Sequence, residues 1–153
     1  MTDSRHETQM HRRLIDALYS ESMLLADEAR AYFDEVGRNE RDGLDPFVRV
    51  GFSCESLKVT TRLMHVIAWL LTQRAVQAGE LDVKDALDPS RRLGDGPVTD
   101  RVLLESLPAR ARALIDSSTD LHRRVALLDA AQSLPDTLPS AVRSMHRRLA
   151  QAF

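Results

Sequence analysis

Apolar positions along the chain recur at alternating steps of three and four residues, the spacing of one helix face, and nowhere alternate as a half-buried strand would. Leu14, Leu18, Leu25, Tyr32 and Val36, with Ser22 and Ala29 in the intervening slots, predict a helix over about 8–36 that stops at Gly37. Asp45-Pro46 is a start signal, the Asp side chain capping free N–H groups and proline suiting the first helical position. From there Val50, Cys54, Leu57, Thr61, Met64, Ala68, Leu71, Ala75 and Ala78 keep a rhythm near 3.5 until Gly79, predicting a second helix over about 46–78. Its length is about 50 Å at roughly 1.5 Å per residue. The 79–107 connection is rich in loop signals (Pro89, Gly94, Gly96, Pro97), with short helical turns expected after Asp82 and Thr99. Leu107, Ala111, Leu114, Ser118, Leu121, Val125 and Leu128 predict a third long helix over about 108–131. Such stripes pack side by side at shallow angles. The expected fold is all-α: an antiparallel three-helix bundle over 1–132, with 133–153 as a tail carrying a short amphipathic stripe (Val142, Met145, Leu149).

The second helix has an excess of apolar surface. Eleven consecutive residues, Leu63 to Gln73, carry no formal charge. The stripe through Leu57, Thr61, Met64, Ala68 and Leu71 is expected to face the bundle core. Val59, Leu63, Val66 and Leu70 form a second stripe at the same rhythm, about 200° round the helix and so on the opposite side. Two arrangements would cover that stripe: the tail folded across it as a fourth helix, or a homodimer formed by Val59, Leu63, Val66 and Leu70. The shortness of the tail stripe favours the homodimer. Trp69 falls between the stripes and is expected either to anchor a partner contact or to sit at the core edge.

Composition narrows the functional classes. A net charge of −2 and a pI near 6.2 give no general attraction for nucleic acid or anionic lipid. The uncharged run is too short to span a bilayer, which takes about 20 apolar residues, and Arg62 and Arg74 close it, so no membrane insertion is expected. A polar start without a signal sequence and a single cysteine, Cys54, suit the cytoplasm. Cys54 lies on the expected core stripe and reads as an inert thiol. His6, His11, His65, His122 and His146 stand in no metal-binding pattern, and there is no nucleophile elbow or phosphate loop. Gly94-Asp95-Gly96 reads as a plain turn. The repeated "MHRRL" (10–14, 145–149) and "LHRRV" (121–125) read as solvated helix faces. No catalytic residue, metal or cofactor is expected. The rival classes are a DNA-binding regulator, disfavoured by the acidic pI and the long helices, and a purely structural dimer.

"ESLKVTTRLMHVIAWLLTQRAVQAGE" (55–80) carries Glu55-Ser56, Thr60 to Met64, Trp69-Leu70, Gln73 to Val76 and Gly79-Glu80. These residues resemble the central motif of the RcdA ("regulator of CtrA degradation") family of alphaproteobacteria, and "LPARARALIDSSTDLHRRVALLD" (107–129) is similar to its third helix. The resemblance implies a dimeric helical adaptor without enzymatic activity. Such an adaptor assists the AAA+ protease ClpXP together with a response-regulator partner, delivers protein substrates that include cell-cycle transcription factors, and concentrates at a cell pole. Arg62, Trp69, Gln73 and Arg74 match the motif and are the candidate partner-binding residues.

Overall fold

The computed structural model describes residues 2–133 and 147–152, and every regular element among them is helical. Between residues 2 and 133 there are six α-helices: α1 (Thr2–Ala31), α2 (Gly37–Asp42), α3 (Pro46–Gln77), α4 (Val83–Ala86), α5 (Arg101–Leu104) and α6 (Ala109–Gln132). A π-helical turn, Tyr32–Val36, joins α1 to α2 without a break in the helix. The fold is an all-α bundle of three long helices, with α3 at its centre packed against both α1 and α6.

The first helix does not stop at Gly37. That residue is buried with right-handed φ of −62°, and a Cβ there would lie 2.7 Å from the Tyr32 carbonyl oxygen. Glycine is needed for close approach at the π turn, where Tyr32, Phe33 and Phe52 cluster with ring centroids 5.0–6.4 Å apart. The helix runs on to Asp42. Gly79, by contrast, has a φ of +75°. Its N–H bonds the Val76 carbonyl and the Glu80 N–H bonds that of Ala75, the Schellman arrangement that ends α3 where the sequence places it. Pro46 begins α3, although the Asp45 side chain makes no cap bond.

The directions of the long helices follow from their contacts. Arg74 of α3 stacks 4.5 Å over the Tyr19 ring while Phe52 meets Tyr32, so α1 and α3 are antiparallel. Along α6, however, Ser118 meets Arg62, Asp129 meets Trp69 and Gln132 meets Gln73. The two helices advance together: α3 and α6 are parallel, and only α1 opposes its neighbours. A parallel pair needs a connection that returns along the bundle, and residues 78–108 supply it. Antiparallel order between each successive pair therefore does not hold.

Candidate docking surface and the buried polar ladder

The two stripes of α3 are exchanged relative to expectation. Val59, Leu63, Val66 and Leu70 are all buried, three of them at 0% exposure, and form the core with Leu14, Ile15 and Leu18 of α1 and Leu114, Leu121 and Val125 of α6. Those four residues are not the dimer surface; two flanking helices cover them. The outer stripe is Phe47, Val50, Leu57, Met64 and Leu71, exposed between 47% and 84%. Cys54 and Ala68 fill the intervening positions and are exposed as well, which corrects the reading of Cys54 as a core thiol. Large apolar side chains repeated every seven residues along the exposed side of a long helix, as at Val50, Leu57, Met64 and Leu71, are the pattern of a packing seam.

The tail does not supply the cover through its described part. Residues 147–151 make a helical turn at the far end of the bundle, where Arg147 pairs with Glu7 at 3.3 Å and Ala150 packs on the core. The stripe positions Val142 and Met145 lie outside the described residues.

Three of the four candidate partner residues are interior. Arg62 (2% exposed), Trp69 and Gln73 are buried, which removes them from the surface that a partner meets; Arg74 remains exposed, pairing with Asp16 at 3.8 Å. What the buried residues do is hold the returning connection. Glu55, Arg62 and Trp69 are spaced by seven and stand in one line along α3. At the top, Trp69 Nε1 and Arg92 both donate to Asp129, at 2.9 and 2.8 Å. Next, His122 Nε2 lies 3.1 Å from the Gly94 carbonyl oxygen. Arg62 then donates to the Pro97 carbonyl at 3.0 Å, the Thr99 hydroxyl at 2.7 Å and Ser118 Oγ at 3.3 Å. Lowest, Glu55 Oε1 accepts from the Asp100 N–H and from Lys58, both at 3.0 Å. Beyond it, Leu103 of α5 sits over Gly51, where a Cβ would collide with it.

The connection is thus a strap laid in the groove between α3 and α6 and fastened rung by rung. Each rung answers a local need. A buried guanidinium or indole N–H left without an acceptor costs more than the bond gains, so the strap's carbonyls and hydroxyls are obligatory partners. Arg92 brings a cation to the last turn of α6, where it bonds Asp129 and meets the helix dipole favourably. Gly94-Asp95-Gly96, a plain turn by sequence, gives the strap its close passage over the His122 ring, 3.1 Å from a Cβ at Gly96. Sequence reasoning missed these contacts because the strap has no periodicity to read.

Among the described residues, no group of His, Cys, Asp or Glu converges in a way that could hold a metal ion, and no helix is long and apolar enough to cross a membrane.

Comparison with known proteins settles the lineage. The chain is similar to the crystal structure of RcdA from Caulobacter crescentus CB15, with 33% identity and a TM-score of 0.67 over 82% of this chain and 97% of that one. This chain belongs to the RcdA family. The family profile described as "Protein of unknown function (DUF1465)" matches residues 6–153, nearly the whole chain. No curated protein matches. Within the RcdA family fold, the motif residues Glu55, Arg62, Trp69 and Gln73 occupy the interior, and the docking candidate is the outer stripe of α3.

Proposed function

We propose that this RcdA-family protein is an adaptor without enzymatic activity that brings protein substrates to the ClpXP protease in concert with a response-regulator partner, in the cytoplasm and concentrated at a cell pole. The observation that carries the reading is the outer stripe of α3 on a chain of this family. Four large apolar side chains, Val50, Leu57, Met64 and Leu71, stand at heptad spacing on the face turned away from the bundle, with Phe47 beside the first. An adaptor works by raising local concentration, so it needs persistent docking surfaces more than deep chemical sites. The same face is the natural seam for a homodimer, since two copies of one apolar stripe complement each other about a twofold axis.

The test is affinity capture from a lysate of the source organism, with the intact chain and a Leu57→Glu/Met64→Glu variant as baits. Recovery of the protease ATPase and a response regulator on the intact chain supports the adaptor reading. Their absence across several salt conditions, with a nucleic-acid or metabolic complex in their place, would overturn it.

A further inference from the structure

Beside the middle rung, the strap leaves a cavity of about 290 Å³ between itself and α6. Arg62, Arg101, Arg123 and His122 line it, with Asp116 as the one carboxylate and Thr99 and Thr119 as hydroxyls; Val98, Leu104 and Ile115 complete its wall. Arg62 is almost fully buried, yet its three hydrogen bonds all go to neutral oxygens. A guanidinium has five N–H donors, so two have no acceptor among the described residues. Arg123 is held by Asp120 at 2.7 Å, whereas Arg101 has no ion pair among the described residues. Even with Asp120 counted beside Asp116, three guanidinium groups face two carboxylates. Glu55 acts on Arg62 as well, but its Oε1 is shared with Lys58 and the Asp100 N–H, so with that pair counted four cations still face three carboxylates.

Burying a cation in this way is costly unless an anion compensates. Burial lowers the Arg62 pKa from its usual value, an effect that the Glu55 carboxylate opposes, and burial lowers that of His122 as well.

We propose that this cavity is a binding site for a small organic oxyanion, a phosphate or carboxylate group seated between Arg62 and Arg101 with its carbon body against Val98, Leu104 and Ile115. The cavity volume lies near the lower end of small-molecule sites, at around 300 Å³. Planar guanidinium forks match both oxyanions, and the Thr99 hydroxyl, which accepts from Arg62, has its own proton to donate. Occupancy would tie the strap to α6 and complete the charge of the middle rung.

The experiment titrates the intact protein with inorganic phosphate and, separately, with acetate, at constant ionic strength made up with chloride, following the melting temperature and the backbone amide NMR signals of Thr99 and Arg62. Arg101→Gln and Asp116→Asn, both exposed, are measured alongside, with circular dichroism to confirm their folds. The expected result is saturable stabilisation by at least one of the two probes. Arg101→Gln should weaken it about tenfold or more, as loss of a charged hydrogen bond does, and Asp116→Asn should tighten it. The response to the two probes separates a phosphate from a carboxylate site. Stabilisation that fails to saturate, that matches chloride, or that is the same in both variants would overturn the site.

Discussion

Trp69 Nε1 donates to Asp129 Oδ1 at 2.9 Å across 60 residues of chain, and the same carboxylate receives Arg92 from the strap. One acid thereby joins the central helix, the third long helix and the connection between them. Trp69→Phe keeps the ring and removes only the N–H. Asp129 retains Arg92, so the loss is that of a single hydrogen bond to a charged group, about 1.5–3 kcal/mol. Urea unfolding followed by circular dichroism checks this, because the substitution removes the only tryptophan. A cost near zero would show that the rung contributes nothing.

Leu70 and Leu71 are neighbours in sequence with opposite fates, one fully buried and the other 47% exposed. Leu70→Ala opens a cavity and should cost about 2–5 kcal/mol, whereas Leu71→Ala in the isolated protomer should stay within about 0.5 kcal/mol. The contrast is read from paired denaturation curves at a concentration where the protein is monomeric.

These two residues also show what the sequence made legible. All seven stripe positions expected on the third long helix, from Leu107 just ahead of α6 to Leu128, are buried, because that helix has one inward side and no ambiguity. The all-α fold and the end of α3 at Gly79 were equally open to reading. On α3 two stripes share one rhythm, and periodicity alone cannot rank them. The deciding signal was the composition of the stripes: Val59, Leu63, Val66 and Leu70 are uniformly bulky, whereas the other stripe includes Cys54, Thr61 and Ala68. Arg62 and Gln73 concealed it, since both look like surface residues until the strap that satisfies them is known. The parallel course of α6 was hidden for the same reason.

Leu57→Glu with Met64→Glu tests the seam directly. Light scattering should give a dimer mass for the unmodified protein and a monomer mass for the double variant, with the melting temperature of the protomer preserved. A monomer before substitution would remove the dimer.

Stability should fall on mild acidification. Burial lowers the pKa values of His11 and His122 from the usual 6.5. The unfolded chain therefore binds these protons first, so the contribution is complete above about pH 6.5 and declines as the pH falls from there towards the lowered folded-state values. Urea midpoints at pH 7.5 and 5.5 measure the drop, and His122→Gln should reduce it. Asp88 and Asp120, both held below their usual 3.8 by hydrogen bonds to Ser90 and Arg123 respectively, keep their contribution through this range and lose it only as the pH falls below about 3.8.

Gly79→Ala places a side chain in the left-handed conformation, at φ +75° with open space around it. The penalty is purely conformational, about 1–2 kcal/mol, visible as a lower melting temperature with no change in oligomeric mass.

The parallel pairing of α3 with α6 has a kinetic consequence. The side-chain hydrogen bonds between them join residues 56–60 apart, from Arg62–Ser118 to Trp69–Asp129, so none can form until a long loop has closed. The α1–α3 hairpin has no such delay. Assembly should then proceed as a helical hairpin that waits for its third member, and in the interval the side of α3 that α6 will cover is bare together with its outer stripe. A newly made chain would expose more sticky surface than the finished one, and the speed with which the strap is threaded sets how long that lasts.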